Sequence, residues 1–246
     1  MTIAGKSILA VVPARGGSKG IPGKNLRTVG GTSLVGRAAR FARALPWVDA
    51  ALISTDDEMI AEEARRHGLD DFFRRPPELA GDYATSVAMW QHAWRAAECH
   101  YGRIFDVSIL LEPTSPLRIS HDAERTVRAV AVDGHAAAAT ISRTPAHFTP
   151  QKTLLVADDG RIRFYVADGT QFSNRHLIPA YYHRNGLCYA VERTHLLEHG
   201  QIIDRSCQAI IVDRPVVNID DVHDLHFAEW LFRSGDSASA DTASTD

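Results

Sequence analysis

Residues 10–25 read AVVPARGGSKGIPGKN, the end of an apolar run followed at once by a glycine-rich, cationic loop. The short apolar run at 8–12 is a buried strand that stops at Pro13. A loop follows with four glycines (Gly16, Gly17, Gly20, Gly23) and three cations (Arg15, Lys19, Lys24). Glycine has no Cβ, so its backbone N–H can turn inward and come close to a ligand. Cations interleaved with such amides suit a polyanion, and a triphosphate is the commonest small one. The stretch therefore reads as a nucleotide site at the carboxyl end of a strand. It is not a Walker loop, because Asn25 stands where the Mg²⁺-binding hydroxyl would follow Lys24 and Pro22 interrupts the run. The dinucleotide pattern G-x-G-x-x-G is absent too. A purely structural glycine turn would have no use for three cations.

Beyond this loop, short β-rich runs alternate with longer helical patterns. Residues 32–45 place Leu34, Ala38, Phe41 and Leu45 at helical spacing. A strand is expected at 50–54. A helix is expected at 57–67, capped by Thr55–Asp56 and stopped at Gly68. A helix at 86–98, a strand at 107–111, a helix at 122–132 and a strand at 136–141 continue the rhythm. This βαβα order implies a three-layer α/β fold with a mainly parallel sheet and ligands at the carboxyl ends of its strands. Residues 142–182 break the rhythm with Pro145, Pro150 and Pro179. They hold a candidate hairpin at 158–160 between 154–156 and 162–165, an excursion suited to capping a site or joining two subunits. Runs at 187–191 and 209–212 return to the sheet, and 221–232 closes the fold as a helix. The division is one domain over 1–233 and a disordered Ser/Ala/Asp/Thr-rich tail from 234 to 246.

A chain of 246 residues buries one substantial core. The net charge of −3 gives no global reason to expect nucleic acid or an acidic membrane; the positive charge is concentrated in the glycine-rich loop. Cys99, Cys188 and Cys207 are widely spaced and form neither a CxxC pair nor a zinc pattern. The first apolar run is too short for a signal peptide and no later one approaches a membrane span, so the expected location is cytoplasmic. No histidine spacing suits a metal, and no G-x-S-x-G elbow supports a serine hydrolase.

Three later segments carry polar residues at places where ligands gather. Residues 110–118, LLEPTSPLR, follow an apolar strand with Thr114, Ser115 and Arg118 as donors, although a proline-rich turn would account for the prolines alone. Residues 75–86, RPPELAGDYATS, lead into a helix that Thr85 or Ser86 could cap. Residues 216–224, VVNIDDVHD, gather Asp220, Asp221 and Asp224, where carboxylates could hold Mg²⁺. For Asp221 and Asp224 the alternative is an acidic first helical turn, which the helix dipole favours on its own.

Taken in order, PARGGSKGIPGKN, STDDEMIAEEA, RPPELAGDYATS, LLEPTSPLR, YHRNGLCYAV and VVNIDDVHDLHFAE resemble the acylneuraminate cytidylyltransferases, the CMP-sialic acid synthetases and their bacterial relatives. The resemblance spans about residues 8–232. It implies a Rossmann-like nucleotidyltransferase fold, CTP and Mg²⁺ as requirements, and a homodimer whose extension reaches the neighbouring site. It places Ala14, Arg15, Gly16, Ser18, Lys19, Lys24 and Asn25 on the CTP, with Arg15 and Lys24 toward the phosphates. Arg75, Ala84 and Ser86 fall in the segment that reads cytosine. Glu112, Thr114, Ser115 and Arg118 fall in the sugar-side loop, Lys152 and Arg175 match cations facing the sugar carboxylate, and Asn185–Gly186 match a turn beside the sugar. Arg15, Lys24 and Asp220 are the expected catalytic residues, and Asp220 with Asn218 the expected metal ligands.

Two departures stand out. The family's loop usually reads L-Q-P-T-S-P-L-R, and this chain has Glu112 for the glutamine, a group that accepts hydrogen bonds but donates none while ionised. The late motif commonly reads D-I-D, and here Asn218 brings a carbonyl oxygen without a charge. The expected reaction transfers CMP from CTP to the anomeric hydroxyl of a nine-carbon acidic sugar and releases pyrophosphate. The rivals are a 3-deoxy-octulosonate cytidylyltransferase, whose opening loop typically lacks GIPGKN, and a non-catalytic CTP-binding regulator, which only Asn218 favours.

Overall fold

The computed structural model describes residues 2–234. The expected disordered tail lies outside the described residues except for Ser234, which ends a helix. Strand β1 (Ile8–Pro13) enters the site. A two-residue hairpin, β2 (Thr28–Val29) and β3 (Thr32–Ser33), turns at Gly30–Gly31 and leads into helix α1 (Leu34–Ala44). The helix begins two residues later than the periodicity suggests, because the Ser33 hydroxyl accepts the N–H of Gly36 as its N-cap. Strand β4 (Ala50–Ser54) precedes α2 (Glu58–Arg66), capped by the Asp57 carboxylate, which accepts from Met59 and Ile60 N–H. Helix α3 (Ser86–Tyr101), strand β5 (Val107–Leu110), helix α4 (Ser120–Ala131) and strand β6 (Ala137–Arg143) follow. The excursion holds the hairpin β7 (Leu154–Val156) and β8 (Ile162–Phe164). Strand β9 (Tyr182–Glu192), the short helix α5 (Arg193–Leu197), strand β10 (Cys207–Ile211) and helix α6 (Val222–Ser234) complete the chain.

The six-stranded sheet runs β10-β6-β9-β5-β1-β4. Only β9 is antiparallel to its neighbours, β5 and β6. β1 pairs in parallel with β4 and β5, and β6 with β10. Alternate side chains along the strands feed two cores, as the pleat requires. Ile8, Ala10 and Val12 pack with Val35, Ala38, Ile60 and Val127 under α1, α2 and α4. Leu9 and Val11 pack with Trp90, Ala93, Trp94 and Leu196 under α3 and α5. The three-layer architecture follows from this division. A third cluster joins Ile21, Val29, Leu34, Leu117 and Ile219 to Ala228 and Leu231 of α6, and so fixes the glycine-rich loop against the end of the chain.

Candidate active site

A cleft of about 570 Å³ opens at the carboxyl ends of β1 and β5. All four motifs with polar residues line it. The first supplies Arg15, Ser18, Lys19, Lys24 and Asn25; the second Arg75, Ala84 and Ser86; the third Glu112 and Thr114; the last Asn218 and Asp220. Residues some 200 positions apart meet here because β1 and β5 are neighbours and α6 carries the last motif back to the loop.

Backbone contacts hold the first loop in shape. Asn25 is buried, and its amide donates to the Arg15 carbonyl at 2.9 Å, closing the loop on itself. Lys24 donates to the Ile219 carbonyl at 2.9 Å and lies 3.3 Å from Asp220 Oδ1, which aims its ammonium at the last motif. Gly20 lies so close to the Asp220 carbonyl that a Cβ there would collide with it. On the opposite wall, Asp82 receives Lys19 at 2.6 Å and Arg15 at 3.3 Å. The Lys19 hydrogen bond, ahead of the Arg15 charge, holds the Asp82 carboxyl below its ordinary range. The two cations are thereby drawn across the cleft mouth to the loop before α3.

Arg75 is buried and donates to the Ser54 hydroxyl at 3.1 Å and to the Ser54 carbonyl, fixing the guanidinium against the end of β4. Burial, with the nearby Arg15 charge, pushes its pKa down to about 10 against the pull of Asp56, so it stays charged at neutral pH. Thr85 is the N-cap of α3, accepting from Ala88 N–H at 3.1 Å, and Ser86 is the first helical residue. The α3 N-terminus therefore faces the cleft with its positive dipole end.

The third motif divides. Glu112 and Thr114 face the cleft, whereas Ser115 and Arg118 are buried and do not line it. Arg118 donates to the carbonyls of Glu112, Leu187 and Gly186, and burial lowers its pKa to about 10. The Ser115 hydroxyl donates to the Asn185 carbonyl at 3.1 Å. Asn185 is equally withdrawn, bonded to Thr140 at 2.7 Å and Ser142 at 3.0 Å. These three form the floor on which the ligand-facing groups rest. Gly186 has φ 71°, and a Cβ there would stand 2.5 Å from Ser115 Oγ and 2.9 Å from Glu112 Oε2, so the floor closes only around glycine. Ala14 is buried in the core and contributes its backbone alone, and the Gly16 N–H is taken by Asp56 at 3.0 Å.

Lys152 and Arg175 are not brought into the cleft; both sit on the excursion, Arg175 in an exposed turn at Arg175–Leu177. Asp221 and Asp224 prove to be caps: Asp221 accepts from His223 and Asp224 N–H, and Asp224 accepts from Asp220 and Asp221 N–H. Sequence reading missed Asp82, which lies inside a motif already singled out and pairs with two loop cations, Lys19 and Arg15. It also missed Arg184, whose charge acts on Glu112 from β9. The three cysteines are free, and burial pushes the Cys188 thiol up to about 12.

Cations and helix dipole at the carboxyl ends of a mainly parallel α/β sheet define a nucleotide-handling class of protein. Residues 9–206 match the family model described as cytidylyltransferase, and the chain belongs to that family. It is 26% identical over 91% of its length to the CMP-N,N'-diacetyllegionaminic acid synthase of Campylobacter jejuni, covering 94% of that protein. It is 27% identical to the pseudaminic acid cytidylyltransferase of the same organism, covering 92% of this chain and 96% of the other. A solved CMP:2-keto-3-deoxy-manno-octonic acid synthetase complexed with CTP superposes with a TM-score of 0.68 over 93% of this chain and 99% of that one. At 16% identity that likeness shows the fold, the Rossmann-like nucleotidyltransferase architecture.

Proposed function

We propose that the protein transfers CMP from CTP to the anomeric hydroxyl of a nine-carbon acidic sugar, with release of pyrophosphate. The observation that carries the reading is the meeting, in one cleft, of Lys24 held by Ile219 and Asp220 with Arg75, Ala84 and Ser86 on one wall and Glu112 and Thr114 on another. Negative charge builds on the phosphate oxygens as the hydroxyl attacks. Preorganised donors aimed at it are worth a few kcal/mol each, on the order of 3 for one contact. Arg15, Lys19 and Lys24 take the triphosphate, the α3 N-terminus and Arg75 take the base end, and Glu112 and Thr114 border the sugar. The octulosonate reading is disfavoured because the GIPGKN stretch is intact and its Lys24 and Asn25 are both engaged in the cleft.

Mg²⁺ fits this donor set. Among the described residues no group of three or more His, Cys, Asp or Glu could hold a metal. Mg²⁺ is held by one or two carboxylates plus substrate phosphates rather than by an all-protein cage. Asp220 is exposed at the cleft and Asn218 offers an amide oxygen beside it. When bound, the ion supplies Lewis-acid neutralisation of the phosphate charge.

The excursion is proposed as a dimer contact, with the partner's copy reaching the cleft. It exposes Phe148, Val156, Ile162 and Leu177, the first two at 70% and 71%. No described helix is long and apolar enough to cross a membrane. Use of CTP suits a cytoplasmic protein.

The test incubates the protein with CTP, Mg²⁺ and a panel of acids: sialic, legionaminic-type, pseudaminic-type, deaminated nine-carbon and eight-carbon. Mass spectrometry should find a CMP-sugar from a nine-carbon acid. CTP binding with no turnover on any acid would point to a regulator instead. Lys24→Ala should lower kcat by about 100-fold or more, with the melting temperature held.

A further inference from the structure

We infer that Asp82 is a built-in competitor for the triphosphate: it holds Lys19 and Arg15, gives them up to the incoming nucleotide, and retakes them as pyrophosphate leaves. The inference deepens the cytidylyl-transfer reading and rests on it for the identity of the nucleotide. Its own test uses inorganic polyphosphates.

The three loop cations are not held alike. Lys24 is seated: its side chain is only 15% exposed, donates to the Ile219 carbonyl and pairs with Asp220. Lys19 is 77% exposed, and among the described residues its ammonium meets only the Asp82 carboxylate, at 2.6 Å. Arg15 reaches the same carboxylate at 3.3 Å and the Ala80 carbonyl at 3.4 Å. Both of its side-chain hydrogen bonds therefore go to one short segment. Arg15, Lys19, Lys24 and Asp82 all line the same cleft. A carboxylate and a phosphate offer the same kind of anionic oxygen to such donors, so Asp82 stands where a polyphosphate must compete with it.

The segment that carries Asp82 can give way. Gly81, Asp82 and Tyr83 are exposed, Tyr83 completely, and none of them belongs to a described core cluster. Segments with few buried contacts open at low cost. The hydrogen bond from Lys19, with the Arg15 charge, holds the Asp82 carboxyl below its ordinary range, so it is ionised at neutral pH. Exposed ion pairs are individually weak. That weakness suits a competitor that must be displaced: it lowers polyphosphate affinity by the fraction of time the cations are taken, without closing the cleft. CTP and pyrophosphate draw on the same cations. The competition therefore favours departure of the product, a step that limits turnover in many enzymes.

The test titrates inorganic tripolyphosphate and pyrophosphate, in chelator, into wild type, D82N, K19A, D82N/K19A and E78Q by calorimetry. D82N should bind both polyphosphates about three- to tenfold more tightly, and the advantage should narrow at high salt. E78Q removes a charge from the same stretch without touching either cation, and should change affinity by less than about twofold. Lys19→Ala should cost more affinity in the D82N background than in wild type, because only there is Lys19 free of Asp82; a general field effect would add instead. In turnover, D82N should be inhibited by pyrophosphate at lower concentration. Melting temperatures should stay level across the set. Unchanged polyphosphate affinity in D82N overturns the inference, as does a gain no larger than that of E78Q or a strictly additive K19A. Weaker binding in D82N also overturns it and assigns Asp82 to holding the loop in shape. If D82N binds polyphosphate more tightly while no acid yields a CMP-sugar, the competitor stands and the functional reading falls. A wild type that makes CMP-sugar beside an unaltered D82N leaves the functional reading and removes the competitor.

Discussion

Arg118 sits inside the floor of the cleft, fully withdrawn from the ligand space, and its guanidinium joins three carbonyls, one in the loop after β5 and two within β9. Truncation to alanine leaves those acceptors buried without a donor, at a cost of about 1–3 kcal/mol for an unsatisfied group. Arg118→Ala should therefore lower the unfolding free energy by about 3 kcal/mol or more in urea titrations. A direct sugar contact predicts the opposite pattern, an unchanged urea midpoint with a raised sugar KM. The sequence reading placed this arginine on the sugar side from its motif, and the residue types alone could not say which way the side chain turns. Where the backbone dictates direction the motifs were easier to read. Arg15, Lys24 and Asn25 follow a strand that ends at Pro13, and a loop leaving that end faces the cleft. Asp82 was illegible for a different reason. Its meaning lies in Lys19 and Arg15, more than sixty positions away.

At the scale of elements, the strands were legible because apolar runs bounded by Pro, Gly or Asp have few alternatives. Residues 50–54 match β4 to the residue. Strand β3 fell inside the expected helix at 32–45 and β2 was not read, because two-residue strands leave no periodicity and only the Gly30–Gly31 pair marks the turn. The reversal of β9 was not legible either, since a strand's direction depends on the connection that precedes it, here the long excursion. Helix α5 is held through its first residue: Arg193 meets Glu98 of α3 at 2.8 Å and 2.9 Å, and Glu98 also accepts from Trp94 and Phe105. Burial raises the Glu98 pKa, but Arg193 and the Phe105 N–H more than offset it and hold the carboxyl below its ordinary 4.5. A depressed folded pKa contributes stability above the unfolded value and loses it as pH falls through the folded one. Glu98→Gln should cost about 1–2 kcal/mol at pH 7, and its deficit against wild type should shrink as the pH drops below 4.5. Thermal melts across pH check this; a gap that stays constant into acid would assign the loss to packing instead.

Over the whole molecule, the cleft in a single chain gathers Arg15, Lys19 and Lys24 on the side proposed for the nucleotide and Glu112 and Thr114 on the side proposed for the sugar, where the Arg184 charge acts on Glu112. Lys152 and Arg175 lie on the excursion, outside the cleft lining of their own chain. An acidic sugar needs a counter-charge near Glu112 and Thr114, and the exposed apolar side chains of the excursion give a surface on which a second copy can bring one. Two consequences separate this arrangement from a monomer that folds its excursion inward. Val156→Glu with Ile162→Glu should convert a dimer to a monomer in sedimentation experiments and lower turnover, while helix content and CTP binding persist. Mixing two dead variants is more telling. Lys24→Ala keeps its excursion intact and Arg175→Ala keeps its nucleotide loop intact, so a mixed dimer has one cleft with both. If the excursion acts in trans, activity returns in part when the two are co-refolded or exchanged. If it acts in cis, every subunit in the mixture stays dead, and recovery is absent however long the exchange runs.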